Sequence, residues 1–401
     1  MEAVKAKIEE IATLLSQIDI ESYTHPGLLA GSSGVACFLF EYAHYASNDS
    51  IRQQALKIID KTIELVFEGN SYPTFCAGLA GISLFLSDLE EQKLVETTIT
   101  KEIDQFLEMA MKNEIIHDHY DFLHGAVGIS YYFVSRAEKK KKYQRVVKLI
   151  VDYLDHTAQR YTEDGVNLVK WKSYHHTTAA VEYNISMSHG MSSIVVLLSK
   201  ILKLGIPSTR KRIVALIEGA INYILKQQID RNTYQSVFPY SSIETSMPLT
   251  GSRLAWCYGD LGVAMAIWQA GETLENEIWK DKALEILSFS CQRRDLQENL
   301  LVDACFCHGT AGVAHIFNRM YRNTGQEIFH KTYLHWVDET LKMAKFEDGL
   351  AGYKTFHGNE EPEQEWLAEP GMLEGVSGIG LALLAAVSES EPVWDKYFLL
   401  S

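Results

Sequence analysis

Cysteine and proline are both scarce in this chain, 6 and 8 among 401 residues. So few cysteines over such a length exclude a disulfide-framed fold. With 26 glycines and so little proline the composition is also far from collagen-like or low-complexity chains. Positive charge is short as well: 37 Lys plus Arg stand against 52 Asp plus Glu, a balance of −15. Such a chain has no surplus of cations to displace counterions from a nucleic acid, so a polynucleotide is excluded as a general partner. Long apolar runs are missing too. A stretch such as IGLALLAAV falls well short of the roughly 18 residues that span a bilayer, so no membrane span is expected. The opening MEAVKAKIEEIATLLSQI sets acids within its apolar periodicity and lacks the basic start, apolar run and cleavage site of a secretory signal. A cytoplasmic location is the expectation. No GxxxxGK[ST] occurs and no strand leads a GxGxxG, so neither nucleotide-binding fingerprint is present.

What is present is a soluble-globule composition, 47% hydrophobic and 22% charged, and an internal repeat. Seven segments couple a small-residue turn to an apolar run: LLAGSSGVACFLF, TFCAGLAGISLFL, DFLHGAVGISYYF, SMSHGMSSIVVLL, AWCYGDLGVAMAIW, CFCHGTAGVAHIF and GMLEGVSGIGLALL. Their first glycines are Gly31, Gly78, Gly125, Gly190, Gly259, Gly309 and Gly375. A second glycine follows three residues later in each, except that Ser193 replaces it in the fourth. The spacings of 47, 47, 65, 69, 50 and 66 residues suit two helices and their loops per unit. The first glycine suits a loop-to-helix junction, and the pair is expected to admit a neighbouring helix closely. Ser193 predicts looser or rotated inner packing beside His189. Between the glycine segments run amphipathic stretches such as IRQQALKIIDKTIELVFEG and TRKRIVALIEGAINYILKQQ, which read as outer helices.

The glycine-started helices are apolar on more than one face, which favours an enclosed inner ring over an open solenoid. The expected fold is therefore all-α: an α/α toroid, a double ring of seven helix pairs, forming one domain over residues 1–401. Long polar loops at YTEDGVNLVKWKSYHHTTAAVEYNIS, QSVFPYSSIETSMPLTGSRLAWC and HGNEEPEQEWLAEPGMLEG, the last with Pro362 and Pro370, read as lids or binding walls.

The repeat register places the chemistry. Cys257 stands two residues before Gly259, Cys307 two before Gly309 and His308 one before Gly309, so neighbouring repeats bring a Cys/Cys/His set to one mouth. Two thiolates and an imidazole make a tetrahedral Zn²⁺ shell with one open place, the form of a catalytic rather than a structural site. Cys305 is the alternative fourth ligand, expected to point elsewhere. Cys37, Cys76 and Cys291 read as buried apolar side chains, and Cys76 shares the register of the two ligands, so position alone does not make a ligand. His189 and His124 both precede a first glycine, with Asp121 three residues before His124, and either or both could face the cavity.

These segments, with WCYG at 256–259, CHG at 307–309 and SHG at 188–190, resemble the lanthionine synthetase C family over nearly the whole chain. The resemblance implies a zinc-dependent lanthipeptide cyclase with an α/α toroid fold and one Zn²⁺ per chain on Cys257, Cys307 and His308. It implies His189, Asp121 and Arg253 around the reaction centre, with Tyr258 beside them. The implied reaction adds a peptide cysteine thiol to the β-carbon of dehydroalanine or dehydrobutyrine, forming a lanthionine or methyllanthionine thioether. Its partners are then a dehydrated precursor peptide and, in the cell, a dehydratase and transporter; the chain is expected to be a monomer. One member of the family carries a β-rich insertion linked with leader-peptide recognition, for which the 47-residue spacing of Gly78 and Gly125 leaves no room. WCYG rather than WCHG points to a bacterial cyclase. The competing readings are addition of a free thiol such as glutathione to dehydroamino acids in proteins, another α/α toroid enzyme such as a glycoside hydrolase or prenyltransferase, and a non-catalytic zinc scaffold. A hydrolase needs a second carboxylate opposite Asp121, for which Asp260 and Glu374 are the candidates.

Overall fold

The computed structural model describes residues 1–69, 71–96, 100–174, 180–245, 248–358 and 365–401. Pro362 and the acids next to it lie outside the described residues, as do parts of the two other long loops. Each of the seven first glycines is the N-cap of a helix: Ser32–Ala46, Leu79–Glu91, Ala126–Lys139, Met191–Lys203, Asp260–Leu274, Thr310–Thr324 and Val376–Val387. These helices are buried on nearly every face, as their apolar composition requires. The amphipathic stretches are helices too, among them Asp49–Phe67, Gln144–Thr157, Arg210–Lys226 and Glu327–Lys342, each with one buried stripe.

The glycines work differently from the expected helix-to-helix approach. A Cβ on Gly34, Gly81, Gly262, Gly312 or Gly378 would lie 1.9–2.4 Å from a carbonyl oxygen six residues upstream, and most first glycines meet the same restriction. The chain preceding each helix thus curls tightly over its own first turn. Backbone bonds seven residues long close the curl, such as Ser32 N to His25 O (2.9 Å) and Met191 N to Asn184 O (2.8 Å). Ser193 is accommodated fully buried, its hydroxyl donating to Gly190 O at 2.8 Å.

The described chain divides into two compact units, residues 1–100 with 300–400, and residues 101–299 with Ser401. In the first, Val376–Val387 packs on both Ser32–Ala46 and Thr310–Thr324, and the N-terminal helix Glu2–Ser16 packs against Val376–Val387. The seventh inner helix therefore takes its outer partner from the beginning of the chain. Met372 N and Leu373 N both donate to Leu29 O (3.0 and 2.7 Å), joining the seventh loop to the first. The C-terminal turn Val393–Phe398 is held by Asp395, fully buried between His315 (2.9 Å) and Arg319 (2.6 Å).

The second unit holds Ala126–Lys139, Met191–Lys203 and Asp260–Leu274 with their outer helices. Part of its long loop is a β-hairpin, Gln159–Glu163 paired antiparallel with Val166–Lys170, which packs on Arg210–Lys226 and buries Leu168 and Val169. The Val169 side chain meets Gly219 there. Short pairs also join Ser173–Tyr174 to Val181–Glu182 and, in the first unit, Thr355–Phe356 to Trp366–Leu367. Asp260, considered above as a hydrolytic acid, is fully buried and accepts from Val237 N (2.9 Å), Phe238 N (3.0 Å) and Arg293 Nη1 (3.0 Å). Burial pushes its carboxyl above the usual range against the pull of Arg293. It ties the 236–238 segment to the start of its helix and is occupied by that task.

Candidate functional site

In the first unit, backbone bonds between successive loops fix the position two residues before the first glycine. Leu29 N donates to Cys76 O (2.9 Å), Leu373 N to Leu29 O (2.7 Å) and Cys307 N to Leu373 O (2.9 Å). In the second unit Met187 N donates to Cys257 O (3.0 Å). Side chains at this register are therefore carried on a braced backbone, a favourable setting for metal ligands. The two cysteines proposed as ligands are buried, and His308 is partly so.

Cys257, Cys307 and His308 form a Cys/Cys/His cluster capable of holding a metal, with one candidate ligand atom from each within 4.8 Å of the others. That span admits a shared ion, since Zn–S and Zn–N bonds are about 2.3 and 2.0 Å. The soft thiolate pair with an imidazole suits Zn²⁺ better than an oxygen-preferring ion. Cys305 groups instead with Asp303 and His308. Its sulfur accepts from His308 N at 3.4 Å, and burial, assisted by Asp303, pushes its thiol up to about 12. The sulfur is engaged within the turn that carries Cys307 and His308. Cys37, Cys76 and Cys291 are buried, and no metal-holding group among the described residues includes them.

His189 and Asp121 meet in the second unit. Asp121 accepts from His124 N in its own loop at 2.8 Å, and its other oxygen lies 2.5 Å from His189 Nδ1. Burial opposes charge on both groups, but the mutual hydrogen bond and attraction outweigh it. Asp121 is held below the ordinary carboxylate range and His189 above the ordinary imidazole range, with the charge of Cys257 adding to the latter. His124 stacks on His189 with ring centroids 5.9 Å apart, but burial lowers its own basicity. On another side the Tyr258 ring lies 5.7 Å from His189, itself stacked on Tyr240 at 4.4 Å. Arg253 sits six residues before Gly259, and its buried Nε has no hydrogen-bond partner among the described residues.

Residues that sequence reasoning passed over surround these groups. Glu182 accepts from Ser241 Oγ at 3.2 Å and raises the basicity of His189. Asn184 and Asp303 occupy one register position, six residues before their glycines, and each side chain accepts a backbone N–H two residues on, at 2.8 and 3.0 Å. Their shared register and their Asx type were the available signals.

Residues 22–399 match the family model described as lanthionine synthetase C-like protein. The nisin biosynthesis protein NisC of Lactococcus lactis subsp. lactis is 20% identical over 384 residues, covering 89% of this chain and 85% of that protein. A solved structure of nisin cyclase superposes with a TM-score of 0.75 at 18% identity, covering 100% of this chain and 98% of the other. This match gives the chain a predominantly helical, toroid-like fold of the nisin cyclase type. Among the described residues no helix is long and apolar enough to cross a membrane. The match across nearly the full length, on a chain that carries all seven glycine-capped helices and the Cys/Cys/His cluster, places this protein in the lanthionine synthetase C-like family.

Proposed function

We propose that this chain is a zinc-dependent lanthipeptide cyclase that closes thioether rings in a dehydrated precursor peptide. The observation that carries the reading is the Cys257, Cys307 and His308 cluster in a chain of this family. Cys257, Cys307 and His308 would hold one Zn²⁺, which when bound lowers a thiol's pKa and so keeps a substrate cysteine as its thiolate near neutral pH. The thiolate sulfur forms a bond to the β-carbon of the dehydro residue, and the displaced π electrons become an enolate at the α-carbon. That enolate needs a proton, and His189 is the donor in this reading, passing on the proton that the substrate thiol gives up.

Asp121 bonded at Nδ1 fixes the His189 tautomer and stabilises the imidazolium, which directs Nε2 to proton exchange. The unpartnered Arg253 Nε supports a role in steadying negative charge as the enolate forms. Tyr258 and Tyr240 form an aromatic wall beside His189. The same proposal includes a single toroid domain over 1–401, a monomeric cytoplasmic enzyme and transient work with a dehydratase and transporter.

Elemental analysis of purified protein tests the metal assignment. About one zinc per chain is expected, and full occupancy retained in a Cys257→Ala plus Cys307→Ala variant would remove it. Offering glutathione and a dehydrated precursor in parallel separates ring closure from free-thiol addition, because only the latter adds the mass of the thiol.

A further inference from the structure

We infer that Asp303 is a positioning residue for the metal centre: it fixes the ring of His308 so that Nε2 carries the proton and Nδ1 is the nitrogen presented to the metal. The inference rests on the zinc reading and deepens it.

Asp303 is 2% exposed, and a carboxylate buried to that extent requires partners for both oxygens. Oδ1 accepts from Cys305 N at 3.0 Å, within its own loop. Oδ2 accepts from Phe356 N at 2.9 Å, from the short strand that covers the loop. Two backbone donors on different segments thus hold the carboxylate still. The same Oδ2 lies 3.7 Å from His308 Nε2, within ion-pair reach and just beyond a hydrogen bond. A histidine ligand ordinarily donates its second ring N–H to such an acceptor, which sets the tautomer and makes the ligating nitrogen more basic.

The repeat separates this role from a merely structural one. In the fourth loop Asn184 stands at the same register and makes the same turn, accepting from Ser186 N at 2.8 Å. An amide is therefore sufficient to shape the loop. The fourth loop has no metal ligand to orient at that place; its Asn184 Nδ2 instead donates to Tyr258 Oη at 3.3 Å. The seventh loop has Glu369 at this register, but its carboxylate lies toward His357 at 3.9 Å. In the sixth loop, which supplies Cys307 and His308, the second oxygen of Asp303 is the one turned to the ligand imidazole.

The test uses the full chain labelled with ¹⁵N-histidine and loaded with ¹¹³Cd²⁺. Nuclear coupling is expected between cadmium and Nδ1 of His308, with a proton on Nε2. Coupling to Nε2 in the wild type would overturn the inference, and this measurement needs no variant to fold. Alongside it, zinc affinity is measured by chelator competition for wild type and Asp303→Asn, with folding checked by circular dichroism. The expected result is a loss of about 10- to 100-fold in affinity in a folded variant, with a changed His308 ring signal. Unchanged affinity and ring signal would overturn it. If wild type binds neither ion stoichiometrically, or binds them equally after both cysteines are removed, the zinc reading itself fails and takes this inference with it.

Discussion

The short bond between His189 Nδ1 and Asp121 Oδ2 divides the work of the imidazole: one nitrogen is committed to the carboxylate and the other is left for chemistry. His189→Asn is therefore expected to keep zinc bound yet slow ring closure by about 10²- to 10⁴-fold, measured as cyclisation rate and zinc stoichiometry on one dehydrated peptide. A folded, zinc-loaded variant turning over near the wild-type rate contradicts the assignment. The pH profile offers a second check. The basicity of His189 is raised, so its imidazolium persists above the ordinary histidine range and the acid-dependent rate falls only as pH passes the raised value. Asp121→Asn removes the attraction that raises it, and the falling limb should move to lower pH. The register pattern made these residues visible in the sequence, since His189 and His308 both precede a first glycine. What the pattern could not supply was which of His124 and His189 meets Asp121, because that depends on the contact between two loops remote in sequence.

At the level of the element, the glycine pair shapes a curl of backbone against its own helix. In Gly312→Ala the new Cβ would meet Phe306 O at 1.9 Å, and neither backbone segment can yield cheaply. A loss of about 1–3 kcal/mol in urea unfolding is expected, against a much smaller effect for Ser193→Gly, where a side chain already fits. The seven helix starts were legible because apolar runs follow each glycine. The reason for the glycines was not, since a G-x-x-G spacing reads equally as a helix-packing face. The hairpin at 159–170 was passed over inside a long polar loop although its signal was present. Asp164 and Gly165 both adopt positive φ (49° and 77°), the conformation an Asp-Gly hairpin turn demands, between strands whose alternation is only weakly apolar.

For the molecule as a whole, the joining of the first and seventh repeats relies on segments from both ends of the described chain. Asp395 is central to the C-terminal contribution, and Asp395→Ala would strand the buried Arg319 and His315. A cost of about 3–5 kcal/mol in chemical unfolding is expected. Because Phe306, next to Cys307, stacks on Phe398 at 3.9 Å, the same variant should also release zinc more readily to a chelator. The seven-unit architecture was readable from periodicity. The origin of the seventh outer helix was not, because no local pattern tells Glu2–Ser16 to pack on Val376–Val387.

Zinc-dependent thiol addition within a dehydrated peptide is the activity proposed for this chain. The most direct measurement is mass spectrometry of one such precursor after thiol alkylation, following incubation with the zinc-loaded protein, the chelated protein or the Cys257→Ala plus Cys307→Ala variant. Cyclisation leaves the peptide's mass unchanged but consumes a thiol. The expected result is alkylation-resistant peptide of unchanged mass with the zinc-loaded protein, and alkylatable peptide in the other two arms. Equal protection of the peptide by all three preparations, or none by the zinc-loaded protein, would contradict it.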